Sequence, residues 1–226
     1  MSTISNGARS HIFSRLKATL DAKQNPTMRL SEADQRIKEA PRATIPKRGL
    51  SDGIARAQMF ADEAERVQTD VVRLDRLDEV PAQVAKIVAG AAVKIAPHDV
   101  LEVMDWSGLD VEFGIGAGDD LVGLSMAYAG VAETGTLVMR SGADAPTTLN
   151  FLVDTHIVVL RGGDVEANYE EVWSRLRVDG KDNAAVLPRT VNWITGPSRT
   201  ADIEQTILLG AHGPRKLVIL LIDEES

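Results

Sequence analysis

Three short segments bring together residue types whose spacing suits chemistry. The first is GPSRT, from Gly196 to Thr200, set between the strand-like VNWIT and the segment ADIEQTILLG. Ser198 and Thr200 are good helix caps, and Asp202 and Glu204 suit a first helical turn. On this reading ADIEQTILLG is a helix beginning just after Ser198, with Ile203, Ile207 and Leu208 inward. The turn then follows the carboxyl end of a parallel strand, where α/β folds place ligands. Free amides at a helix start suit a phosphate or carboxylate, with Gly196 allowing close approach and Arg199 adding a planar fork. The alternative is that Ser198 only caps the helix and Arg199 pairs with a surface acid.

The second segment is AETGT, Ala132 to Thr136. Glu133 sits in a turn with Thr134, Gly135 and Thr136, between two apolar strands. It suits a general base, a nucleophile or a cation ligand, or else a turn glutamate facing water. The third is HGPRK, His212 to Lys216. His212 is an acid–base candidate, although Gly213 and Pro214 explain the turn without any function and a histidine at a helix end is often structural. AETGT and GPSRT form one site if their loops meet at the same end of the sheet.

Other patterns fall short. GIGAGDD, from Gly114, has Asp119 at the third glycine position of a dinucleotide fingerprint, and no GxxxxGK[ST] is present. GLSMA, from Gly123, has Ala127 in place of the last glycine of a nucleophile elbow. His11, His98, His156 and His212 show no metal-ligand spacing, so no metal site is expected, and Asp119–Asp120 reads as a solvated turn. The 226 residues include no cysteine, which rules out disulfides, thiolate metal sites and a cysteine-ligated iron–sulfur cluster in this sequence. No apolar run approaches the ~20 residues that span a bilayer and no secretory signal is evident, so a cytoplasmic location is expected. Residues 1–49 carry ten basic and four acidic residues, a charge of +6, and the remainder carries −14. The acidic body argues against nucleic acid as a partner.

Ile12, Phe13, Leu16 and Leu20 recur at helical spacing. PRATIPKRGL, from Pro41, reads as a linker, which divides the chain into a basic helical arm and linker (1–49) and an α/β domain (50–226). In the domain, Ser51 or Asp52 caps a helix through Val67, VVRL is a strand, Asp78 caps a helix with Pro81 in its first turn and Gly90 at its stop, and AVKI is a strand. Residues 110–140 read as two or three strands joined by glycine turns. HIVVL, VNWIT and KLVILLI are strands, and Asp164 caps a helix bearing Val165, Tyr169, Val172, Trp173 and Leu176. The alternation implies an open, mostly parallel sheet with helices on both faces, plus the N-terminal arm.

AETGT, HIVVL, GPSRTADIE and GAHGPRKLVILLI, in that order, resemble the lactate-utilisation protein C (LUD-domain) family from about Ser51 to Asp223. The resemblance implies the fold shared by glucosamine-phosphate deaminases, ribose-phosphate isomerases and CoA transferases. It further implies the non-iron–sulfur component of a system oxidising L-lactate to pyruvate, with iron–sulfur proteins as partners. Its ligand would be a small organic acid or a phosphate-bearing molecule, held by Thr134, Gly135, Thr136, Gly196, Ser198, Arg199 and Thr200. The alternative is a stand-alone enzyme on a phosphorylated or CoA-linked acid, with Glu133 as base or nucleophile. The glycine pattern around Glu133 does not match that of a CoA-transferase glutamate.

Overall fold

A strand buried on both faces needs apolar side chains at every position rather than at alternate ones. Lys216–Ile222 meets that demand: as β12 it has six of seven residues buried. It lies between β1 (Asp70–Leu74) and β7 (Thr155–Arg161), with Leu220 opposite both Val72 and Val159. Beyond β7 come β4 (Val122–Met126), β2 (Val93–Ile95) and β3 (Val111–Phe113). Every pairing in this six-stranded sheet is parallel, in the order β1-β12-β7-β4-β2-β3. The computed structural model describes residues 6–21, 26–39, 41, 44–50, 53–182, 187–201, 207–210 and 212–223.

The two faces of the sheet are separate cores. Val218, Leu220 and Ile222 pack with Ile157 and Val159 against α4 (Val80–Val88) and α5 (Asp99–Glu102). Leu217, Ile219 and Leu221 point the other way, with Val158 and Leu160, toward α3 (Gly53–Arg66) and residues of a second sheet. That sheet runs β8-β5-β6-β9, from β5 (Ala129–Val131), β6 (Thr136–Arg140), β8 (Val165–Glu166) and β9 (Val191–Ile194). α6 (Tyr169–Asp182) covers it, setting Val172 and Leu176 on Val131 and Val138. Helices therefore cover both sides of the parallel sheet, and on one side a second sheet shares the work.

Several local expectations are corrected. β9 does not belong to the parallel sheet; it pairs antiparallel with β6, Leu137 opposite Ile194. The segment after Ser198 does not begin a helix. Its described residues form β10 (Arg199–Ala201) and β11 (Ile207–Leu209), an antiparallel pair. The reason lies in Ser198, whose amide donates to the Pro214 carbonyl at 2.8 Å and whose carbonyl accepts from Gly210 N–H at 2.9 Å. Its backbone is thus held by pairing to two segments distant in sequence. Asp164 ends a short 3-10 turn and pairs with Arg175, while Val165 is in β8; Asn168 caps α6 by accepting from Glu171 N–H at 3.1 Å. Asp78 lies in a 3-10 turn and pairs with Arg76. Ser51 and Asp52 fall outside the described residues.

Residues 1–44 and 45–226 form two compact units. The first contains α1 (Asn6–Asp21) and α2 (Pro26–Glu39). In the second, Gly49 is buried and its carbonyl accepts from Asn168 Nδ2 at 2.8 Å, so the end of PRATIPKRGL packs into the body.

The AETGT turn is seated on α3. Gly135 has φ +60°, and a Cβ there would lie 2.2 Å from the Ala64 amide nitrogen. Gly135→Ala combines a left-handed backbone with a clash against a helix backbone, and should cost at least about 2 kcal/mol. Urea denaturation measures this, and an unchanged midpoint would contradict the packing of the turn on α3.

Candidate functional site

β12 and β7 begin side by side, and their starts bring three distant segments together. Pro214 precedes β12 and Leu217 is its second residue, Phe151 precedes β7 and His156 is its second residue, and the turn Gly196–Ser198 follows β9. Between them is a cleft of about 240 Å³. Ser198 locks its two turns together, since His212 N–H donates to Ser198 Oγ at 3.3 Å in addition to the two backbone bonds of Ser198. Gly196 has φ +78°, and a Cβ there would lie 2.5 Å from the Val67 carbonyl, so only glycine fits. GPSRT and HGPRK thus meet, but at the amino ends of the parallel strands rather than at a carboxyl end.

His156 lies at the floor of this cleft and is fully buried. Its Nε2 is 2.8 Å from Ser125 Oγ on the neighbouring strand β4, and its Nδ1 has no hydrogen-bond partner among the described residues. Burial alone pushes its pKa down to about 4, so the imidazole is neutral at pH 7. The sequence hinted at this pair only as one serine and one histidine inside otherwise apolar strands. Their 31-residue separation hides the contact.

Hydroxyl groups form a second cluster beside the cleft. Thr136 Oγ1 lies 2.7 Å from Thr134 Oγ1, 3.1 Å from the Tyr169 hydroxyl and 2.7 Å from Thr195 Oγ1, while Thr134 is 3.0 Å from Tyr169. Thr195 itself lines the cleft. Through this cluster AETGT and GPSRT do adjoin. Glu133, however, does not line the cleft: it is 6% exposed, with its carboxylate beside Gly49. Arg199 is exposed and reaches Gln68 at 3.5 Å, outside the cleft lining. Thr200 lies in β10, its side chain outside the description. His212 is exposed at the cleft rim. Among the described residues no group of three or more His, Cys, Asp or Glu could hold a metal, and no helix is long and apolar enough to cross a membrane.

A parallel six-stranded sheet covered by helices on both faces defines an α/β protein. The LUD domain family matches residues 57–222, and the chain belongs to that family. An uncharacterized protein of Neisseria meningitidis serogroup B is 41% identical over 103 residues, covering 44% of this chain and 41% of that protein. Lactate utilization protein C of Geobacillus thermodenitrificans is 31% identical over 46% of this chain and 42% of its own length. The protein of that name from Bacillus licheniformis is 26% identical over 71% of this chain and 73% of its own. The chain thus spans less than half the length of the first two relatives. A crystal structure of a DUF162 family protein from Deinococcus radiodurans shares the fold, with TM-score 0.57 and 21% identity over 76% of this chain and all of that one.

The buried imidazole carries a pH signature. Between pH 6.5 and about 4 the unfolded chain binds a proton at His156 and the native state does not. Stability is therefore lost as pH falls through that window, by up to roughly 3 kcal/mol from this group at 1.36 kcal/mol per pKa unit. Urea midpoints at pH 7 and pH 4.5 should diverge more for wild type than for His156→Gln. Parallel pH dependence in the two would show that the histidine titrates normally.

Proposed function

We propose that the chain is a component of a lactate-utilisation system and binds a small 2-hydroxy or 2-oxo acid in the cleft between the Gly196–Ser198 and His212–Pro214 turns. The names of its Geobacillus and Bacillus relatives support the system. The single observation that carries the ligand is His156, buried, neutral and short of one hydrogen bond at Nδ1.

The chemistry of that nitrogen fits a hydroxy-acid/oxo-acid pair. When His156 Nε2–H donates to Ser125 Oγ, Nδ1 is a bare acceptor suited to the hydroxyl of lactate. When Ser125 O–H donates to Nε2, Nδ1 carries the proton and suits the carbonyl of pyruvate. The two tautomers differ by no net charge, so either ligand is accommodated without charging a buried ring. The Ser198 hydroxyl and the His212 ring at the rim would receive the carboxylate, with Gly196 allowing its approach. Thr134 and Thr136 hold Thr195, and Glu133 acts through the turn that positions them. Arg199 and Thr200 would contribute through the strand leading away from the cleft, the arginine as a nearby positive charge.

The reaction served is oxidation of L-lactate to pyruvate. With no cysteine in this sequence, its electrons would pass to iron–sulfur partner proteins. Calorimetric titration of the purified chain with L-lactate and pyruvate tests the ligand. Ser198→Ala, which removes one hydroxyl and keeps the backbone bonds, should weaken binding by about 1 kcal/mol. No binding by wild type, or equal affinities in wild type and variant, would remove the cleft from consideration. Undiminished growth on lactate after deletion of the gene would remove the system.

A further inference from the structure

We propose that the protein has a second small-ligand site, for an oxyanion, at the carboxyl ends of β4 and β7. It stands apart from the His156 cleft, which opens at the opposite ends of the strands. The observation is a cavity of about 220 Å³ where the segments after β2, β4 and β7 converge. That edge of a parallel sheet is where side chains from several loops can reach one ligand.

Its donors come from four segments. Arg161 ends β7, Arg140 ends β6, Arg175 lies on α6, and His98 caps α5. Arg140 and Arg175 both lie against the ring of Tyr128, with guanidinium carbons 4.7 and 4.6 Å from its centroid. Stacking holds these planar groups in set orientations, which reduces the ordering cost of recognising an oxyanion. Arg175 is also held by Asp164 at 2.8 Å and Glu166 at 3.8 Å. Arg161 has no ion-pair partner among the described residues. His98 accepts the Val100 N–H at Nδ1, at 3.2 Å, so the neutral ring carries its proton on Nε2 as a further donor.

Two acids line the same cavity, Asp144 and Asp164. Asp164 is engaged by Arg175, and Asp144 is exposed on the rim. Asp164 and Glu166 are both spent on Arg175, and the Arg161 guanidinium is left with a charge that no ion pair among the described residues neutralises. A carboxylate or a phosphate group would neutralise it through the same charge-assisted, forked hydrogen bonds.

Calorimetric titration of the full chain with inorganic phosphate and with acetate, at low salt, tests the site. Wild type should bind at least one probe saturably, and the preferred probe identifies which oxyanion the site takes. Arg161→Gln, at an exposed position, should weaken that binding about tenfold or more. Ser198→Ala, in the other cleft, should leave it within about twofold. The site is overturned if neither probe binds saturably to wild type, or if wild type and Arg161→Gln bind equally. Loss of lactate affinity in Ser198→Ala with probe binding intact separates the two clefts, so the failure of one does not disguise the failure of the other.

Discussion

Burial of β7 and β12 on both faces is the constraint on which the rest depends. A strand covered on two sides has no wet face for polar side chains, so hydrophilic groups are pushed to its ends. The two clefts lie at those ends, one where β7 and β12 begin and one where β4 and β7 finish. His156 is the exception, a polar residue one position inside β7 with no exposed surface. Its place is tolerable because Ser125 satisfies one nitrogen and the ring remains neutral.

The second sheet performs a different task. It covers one face of the parallel sheet and carries, at the start of β6 and the end of β9, the threonines that border the amino-end cleft. Aromatic packing supports that edge: the rings of Tyr169 and Trp193 are 5.1 Å apart, and those of Trp173 and Trp193 are 5.4 Å apart. α6 thereby serves both ends of the sheet, through the Tyr169 hydroxyl in the cluster beside one cleft and the Arg175 guanidinium lining the other.

What was legible in the sequence followed from local pattern. The continuous apolar run of β12 announced a central strand, and Pro81 and Gly90 bracketed α4 through their own backbone preferences. The strands of 110–140 were legible, but their assembly into a second sheet was not, because its outer pairings join distant residues, as Leu137 pairs with Ile194. The stretch after Ser198 misled for another reason. Serine and threonine hydroxyls serve helix caps and turns equally well, and Ile207–Leu209 is too short an apolar run to declare a period. The candidate site was half visible. GPSRT and HGPRK could be read as turns, whereas the His156–Ser125 contact required the register of β4 against β7.

The hydroxyl cluster can be read by counting protons. Thr134, Thr136, Tyr169 and Thr195 own four hydroxyl protons and share four contacts. If every contact is filled, each proton is used within the cluster. Thr195, with a single contact there, must then donate to Thr136, while the other three hydroxyls form a closed ring. The ring can circulate in either sense, a two-fold orientational degeneracy worth RT ln 2, about 0.4 kcal/mol, much as in ice. Toward the cleft, Thr195 is left with lone pairs only. That wall therefore distinguishes a ligand bearing an O–H from one bearing a bare oxygen, before any charge is considered.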